Sequence, residues 1–406
     1  MSDTPITFVT PWYGDFAGGA EVAARTLAEQ LHNRGFTVQV LTTCCRSPFE
    51  SWWQNTLSPG VENINGVTVH RFSVNPQDDE DFHHEINYKI IHGMEIEPTS
   101  QRRFVENTIN SEELISYAKA NTQGHLVIGM PYTQGLIYSL VKSLAGRASV
   151  IPCLHDEPQF QWITTSEMLA QSRQIFFLTD EERTLAIKYY GRSIGRRLVE
   201  SPVIGVGVEL PVALEHLTLN NSQIKDIRAK YNLPTHFFVY VGRKDVGKNI
   251  LELVNYFRNY RLEHGEATLV FLGGGDANLV PNEQGFLDLG FVPEEDKYLI
   301  LSQALGLINL SQNESFSLVL MEAWLCEVPV IVHHGGEVTT AHCRKSQGGI
   351  PISSSEEFVA ALKILSNQDI GKAIAKSGKR YVKSKYTWNS VIDIFLRGHI
   401  KNEVFN

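Results

Sequence analysis

The opening residues constrain the fold more than any other stretch. A short β-rich run, ITFVT, leads into the loop PWYGDFAGG, and AEVAARTLAEQLHNRG follows. In that segment Val22, Leu27 and Leu31 recur at helical spacing, and Gly35 is placed to end the helix. FTVQVLTT then reads as a second strand. Strand, crossover helix and strand form a β-α-β unit, the building block of a parallel sheet. A chain that starts this way is committed to an α/β architecture.

The rest of the first half continues the pattern. VTVHRFSV, HLVIGM, SVIPCL and QIFFLT read as strands, with helix-like segments between them. Residues 75–100 carry several charges and no clear periodicity, which predicts a long irregular insertion and a candidate part of an acceptor site. The second half restarts the same grammar. FFVYVG, ATLVFLGGG, GLINLS and VPVIVH read as strands, NILELVNYFRNYR and EDKYLILSQAL as helices. Between the halves, SPVIGVGVELPV is rich in Gly and Pro and reads as a linker. The expected layout is one α/β domain over residues 1–205, a second over 206–385, and a C-terminal helix within 386–406 that packs back on the first domain.

A length of 406 residues suits two or three domains, and 43% hydrophobic with 20% charged residues is ordinary globular composition. The net charge of −9 argues against a dedicated nucleic-acid binder, and the small cluster Arg192, Arg196 and Arg197 reads as solvated surface. Five cysteines without a CxxC pair fit a reducing compartment. MSDTPITFVTPW lacks the basic and apolar regions of a signal peptide. The most apolar window, residues 315–332, is interrupted by Glu322 and Glu327 and does not suit a membrane span. A cytoplasmic protein is expected, with room for peripheral contact at the inner face of a membrane.

Several positions carry chemistry. Seven residues separate Glu314 from Glu322 around the apolar run SFSLVLM. An ionised carboxylate beside a core segment is costly unless something pairs with it, so the pair suggests a binding surface; a helix with Glu314 near its N-terminus and Glu322 on a wet face explains it equally. Gly18-Gly19 lies between the first strand and the first helix, where backbone N–H groups can meet an anion or simply form an entry turn. Gly242-Arg243-Lys244-Asp245-Val246-Gly247-Lys248-Asn249 nearly matches a P-loop, but Asn249 replaces the hydroxyl that would hold Mg²⁺. Arg243 and Lys248 remain as two cations on a strand-to-helix loop, suited to phosphate oxygens. His155-Asp156 ends a strand, where open α/β sheets bind ligands. Gly273-Gly274-Gly275 marks a tight turn or close backbone packing, and the pairs His83-His84 and His333-His334 lack metal-ligand spacing.

Taken in order, the Gly-Gly loop, the strand-end His-Asp, the GRxxxxK loop, the LGGG turn and the E-x7-E segment with EAWLCEVPVIV resemble the retaining glycosyltransferases of the GT4 type. The resemblance spans nearly the whole chain and is stronger in the second half. It implies the GT-B fold, two Rossmann-like domains facing a central cleft. It further implies a hexosyltransferase with a UDP- or GDP-sugar donor and a glycan or lipid-linked glycan acceptor, needing no cofactor and no metal. Residues 126–190 are similar to members that build bacterial surface polysaccharides. By the resemblance, Glu314 and the main chain around Phe316, Ser317 and Leu318 hold the donor sugar, and Glu322 holds the ribose. Arg243, Lys248, Gly18 and Gly19 lie at the diphosphate, Val292 meets the base, and His155 touches the sugar at the reaction centre. Leu310-Ser311 and Cys326-Glu327 depart from the family pattern, as does Gly205-Val206-Gly207-Val208. A non-catalytic nucleotide-sugar-binding subunit is the alternative, and a P-loop phosphotransferase a more remote one.

Overall fold

A computed structural model of the chain describes residues 4–15, 18–211, 221–264 and 267–403. The chain divides into two units, Met1–Val206 with Val391–Asn406, and Gly207–Ser390. The division falls inside the Gly- and Pro-containing stretch 201–212, and the helix Trp388–Glu403 begins in the second unit and groups with the first from Val391 on.

The first unit holds six strands: β1 (Ile6–Val9), β2 (Val38–Thr43), β3 (Gly60–Ile64), β4 (Val67–Phe72), β5 (Leu126–Gly129) and β6 (Ala148–Val150). Their order is β3-β4-β2-β1-β5-β6, parallel except for β3 against β4. β1 is central, with Ile6 opposite both Val38 and Leu126, and all four of its residues are buried. Strands covered on both faces read as continuous apolar runs, which is why ITFVT and HLVIGM were legible. The first helix spans Gly19–His32 and buries Ala23, Ala24, Leu27, Ala28 and Leu31.

Three expectations change here. Residues 75–100 are not an irregular insertion: Glu80–Ile91 is a helix capped by Asp79, whose side chain accepts from Phe82 N at 3.0 Å, and a second helix starts at Pro98. That first helix buries only His83 and Ile86, too few positions to set a period. QIFFLT forms no strand, because Ile175 and Phe177 make only single bridges, to Val150 and Val203. β3 was missed because its residues are almost all exposed; Asn65-Gly66, both at positive φ, form the tight turn that joins it to β4.

The second unit repeats the plan with β7 (Phe237–Val241), β8 (Thr268–Leu272), β9 (Phe286–Asp288), β10 (Leu307–Asn309), β11 (Val330–His333) and β12 (Gly349–Ile352). All neighbours are parallel, in the order β12-β11-β10-β7-β8-β9. Phe238, Tyr240, Leu269, Phe271, Ile308 and Ile331 pack against Ile250, Val254 and Phe257 of the helix Ile250–His264 and against Phe358 and Leu362 of the helix Ser355–Ser366. Both units are therefore Rossmann-like α/β domains.

Candidate functional site

The strand order of the second unit reverses between β7 and β10, and ligands of open α/β sheets bind beyond the strand ends at such a switch point. Two loops leave the sheet there, residues 242–249 after β7 and 310–317 after β10. They meet through Lys248, whose Nζ lies 2.8 Å from Glu314 Oε1 and 3.5 Å from Ser311 Oγ. The lysine loop is braced by Asp245, which accepts from Lys248 N at 2.9 Å and also takes the Arg243 Nε–H. Asn249 stands at φ +59, a left-handed position that suits Asn. Its Nδ2 donates to Leu310 O at 3.2 Å and to Glu252 Oε2 at 2.8 Å. The residue that spoils the P-loop match thus ties the two loops together.

Across the site, buried Asn309 organises the second loop. Its Oδ1 accepts from Ser311 N at 2.9 Å and its Nδ2 donates to Ser317 Oγ at 3.2 Å. Ser317 adopts φ +64 and starts the helix Leu318–Leu325, so Glu314 lies in the loop before that helix and only Glu322 is on it. Glu314 thus stands just ahead of the helix N-terminus rather than in its first turn, and Glu322 is not on a freely wet face but paired. Phe316 is buried edge-on against Tyr386 (centroids 5.0 Å apart) and His342 (5.4 Å), which leaves its main chain, not its ring, for a ligand. The rest of the apolar run is core: Leu320, Met321, Ala323, Trp324 and Leu325 are buried, and Trp324 Nε1 donates to Gly348 O at 2.8 Å.

Glu322 points away from this core. Its Oε1 takes Lys297 Nζ at 2.9 Å and the Tyr298 hydroxyl at 3.2 Å, from the helix Glu294–Leu301. Burial, reinforced by the Glu322 charge, pushes the Tyr298 hydroxyl pKa well up, so it acts as a donor to that carboxylate. Sequence reasoning missed Lys297; the signal was a lone cation in EEDKYLIL, directly after the GFVP turn. Each acid of the E-x7-E segment is thus matched by its own lysine.

A third ion pair braces the same edge. Lys244 is buried and its Nζ lies 2.6 Å from each carboxylate oxygen of Asp288, at the end of β9. Asp288 Oδ1 also accepts from Gly290 N at 3.0 Å, which fixes the turn holding half-buried Val292. Gly273 and Gly275 sit at positive φ, and a Cβ on either would stand 2.3 Å from the carbonyl oxygen of Gly242 or Lys244. The triple glycine serves close backbone packing between the β7 and β8 loops.

Arg243, Lys248, Glu314 and the main chain of residues 316–318 therefore belong to one site at the β7–β10 switch point. Glu322 lies on the following helix with Lys297, and Val292 on the β9 turn. Gly18, Gly19 and His155 belong to the first unit. Gly18 is the N-cap of the helix Gly19–His32 and has no side-chain cap; a Cβ at Gly18 would collide with Glu21 Oε2, whereas one at Gly19 would meet open space. Gly19 is thus not demanded by packing. His155 is half-buried and directly follows buried Leu154, past the end of β6.

Residues 223–381 match the family model for glycosyl transferases group 1. This group 1 segment takes in both lysine–glutamate pairs of the second unit. Over 107 residues the chain is 27% identical to glycosyltransferase 1 domain-containing protein 1 of Xenopus tropicalis, covering 26% of this chain and 30% of that protein. Over 259 residues it is 23% identical to D-inositol 3-phosphate glycosyltransferase of Jonesia denitrificans, covering 60% of each. The chain spans less than two thirds of the length of these curated relatives. A solved E. coli structure, trehalose-6-phosphate bound with UDP-2-fluoro glucose, superposes with a TM-score of 0.72 at 12% identity, over 97% of this chain and 98% of that one. The fold is GT-B.

Proposed function

We propose that the chain is a retaining, metal-independent glycosyltransferase of the GT4 type. It moves a hexose from a UDP- or GDP-sugar to a glycan or lipid-linked glycan acceptor, in the synthesis of a bacterial surface polysaccharide. The observation that carries this reading is the Lys248–Glu314 pair at the switch point, 2.8 Å apart, with Arg243 on the same loop. Cations beside a carboxylate suit a ligand that has a diphosphate next to a polyol. The donor class is supported by the UDP-2-fluoro glucose of the E. coli structure and the polysaccharide role by the likeness of residues 126–190.

In the proposed reaction the bond between the anomeric carbon and the β-phosphate oxygen breaks, and the acceptor oxygen bonds to that carbon from the same face. The acceptor proton passes to the departing phosphate oxygen. Arg243 and Lys248 stabilise the charge that develops on the diphosphate, where fixed electrostatics contribute most. Glu314 and the amides near Ser317 hold the sugar hydroxyls, Glu322 the ribose, Val292 the base, and His155 the reacting sugar.

A panel of UDP- and GDP-sugars, screened by thermal shift and then by nucleotide release, tests the reading. A donor at a hundred times its Kd stabilises by about 2.7 kcal/mol. Stabilisation by one donor class, with release lowered in Lys248→Ala, supports a transferase. Stabilisation without release or transfer points to the binding subunit instead, and no stabilisation by any member sinks both.

A further inference from the structure

We infer that Glu182 and Tyr132 are positioning residues that hold the His155 turn from its two sides. This rests on the role given to His155 above. Glu182 lies on the helix Asp180–Glu200 and is fully buried. Its Oε1 accepts from Leu154 N at 2.7 Å and its Oε2 from Leu178 N at 2.5 Å. The backbone N–H groups of Thr179 and Cys153 also donate to it. Those amides come from the last residues of SVIPCL and QIFFLT, beyond the end of β6 at Val150 and beyond the bridges of Ile175 and Phe177, where each strand was expected to continue. A buried backbone N–H without a partner is costly, so the side-chain oxygens of Glu182 serve amides that lie beyond the strand pairing. Cys153 stands at φ +60, a conformation that persists only when its surroundings hold it.

The other side of the turn is held from the segment that follows β5. The Tyr132 hydroxyl donates to Glu157 Oε1 at 2.5 Å, and Tyr132 N donates to Pro152 O at 3.0 Å. Glu157 N closes the turn on His155 O at 3.0 Å. His155 is therefore suspended between Leu154, anchored to Glu182, and Glu157, anchored to Tyr132. Both anchors act on residues that follow the paired strands. A small displacement of a catalytic side chain can cost about a hundredfold in rate, which gives both anchors a measurable purpose.

The test compares Glu182→Gln, Tyr132→Phe and His155→Ala, alone and in pairs, by release of UDP from UDP-glucose. Glutamine keeps the shape of Glu182 but turns an NH₂ toward N–H donors. The single variants at Glu182 and Tyr132 should lose about tenfold to a hundredfold in kcat with KM changed less than about twofold. In the His155→Ala background neither should lower kcat further. Unchanged kcat, a loss that appears in KM, or a loss that adds to that of His155→Ala overturns the inference. If Glu182→Gln does not fold, Tyr132→Phe, which removes one hydroxyl, decides the matter. Full turnover in His155→Ala defeats the role of His155 itself, a separate failure. Should wild-type protein release no UDP, the His155 imidazole titration followed by NMR decides instead: a curve unmoved in Tyr132→Phe overturns the positioning role, and a shifted one supports it.

Discussion

Lys248 and Glu314 neutralise one another, so a diphosphate that draws on Lys248 must compete with a carboxylate already there. A nucleotide sugar compensates by offering hydroxyls to Glu314; a bare nucleotide does not. Glu314→Gln should therefore tighten binding of UDP by up to about fivefold, the scale of a partly exposed ion pair, while weakening the matching nucleotide sugar. Titration calorimetry with both ligands checks this, and weaker binding of both would refute the competition. Placement on strand-to-helix loops, together with the family resemblance, nominates Glu314, Lys248 and Arg243. Lys297 and Lys244 were not singled out, and their pairing with Glu322 and Asp288, like that of Lys248 with Glu314, shows only in the fold.

The helix Leu318–Leu325 carries Glu322, and its seating depends on an absence of side chain elsewhere. A Cβ on Gly378, in the helix Gln368–Lys385, would stand 2.3 Å from Trp324 Cδ1, and one on Gly348 would stand 2.6 Å from Trp324 Nε1. Gly378→Ala should cost about 1–3 kcal/mol by overpacking and, by shifting this helix, weaken donor binding. Denaturant unfolding and the donor thermal shift measure the two effects; a normal protein on both counts would show that the tryptophan relaxes without moving Glu322. At this scale the apolar run was legible as core, but its start was not. Ser317 in a left-handed conformation, bonded to Asn309, ends the loop that frees Glu314 from the helix. The helix Glu80–Ile91 was hidden for the opposite reason: its burial is too sparse to leave a pattern.

Each unit holds a buried histidine whose pKa is pushed far down, His342 in the second and His399 in the first. Burial above all, with Lys345 nearby, lowers the pKa of His342 in the second unit to about 3. Burial, with Arg173 nearby, does the same to His399 in the terminal helix, also to about 3. A base with a depressed pKa in the folded state binds its proton more readily when unfolded. Its contribution to stability is present above the unfolded value near 6.5 and is lost as pH falls toward 3, at about 1.4 kcal/mol per pH unit for each histidine. Urea unfolding at pH 7, 5 and 4 should show both units weakening with acid, and His342→Gln should flatten the second unit's share; equal stability across that range would refute the account.

For the molecule as a whole, the strand–helix–strand rhythm written twice determined two parallel α/β domains. Such sheets bury both strand faces, and that burial shows as local apolar runs. The sequence also located the loops at the strand ends, where Gly, Lys and Glu interrupt those runs. Only the tertiary structure decided which loops are neighbours, because strand order is set by crossovers that leave no local pattern. It alone placed β7 beside β10, and so Lys248 beside Glu314. It alone put the carboxylate of Glu182 where a strand was expected, since a long-range hydrogen bond to a backbone amide carries no signature in the residue that donates it.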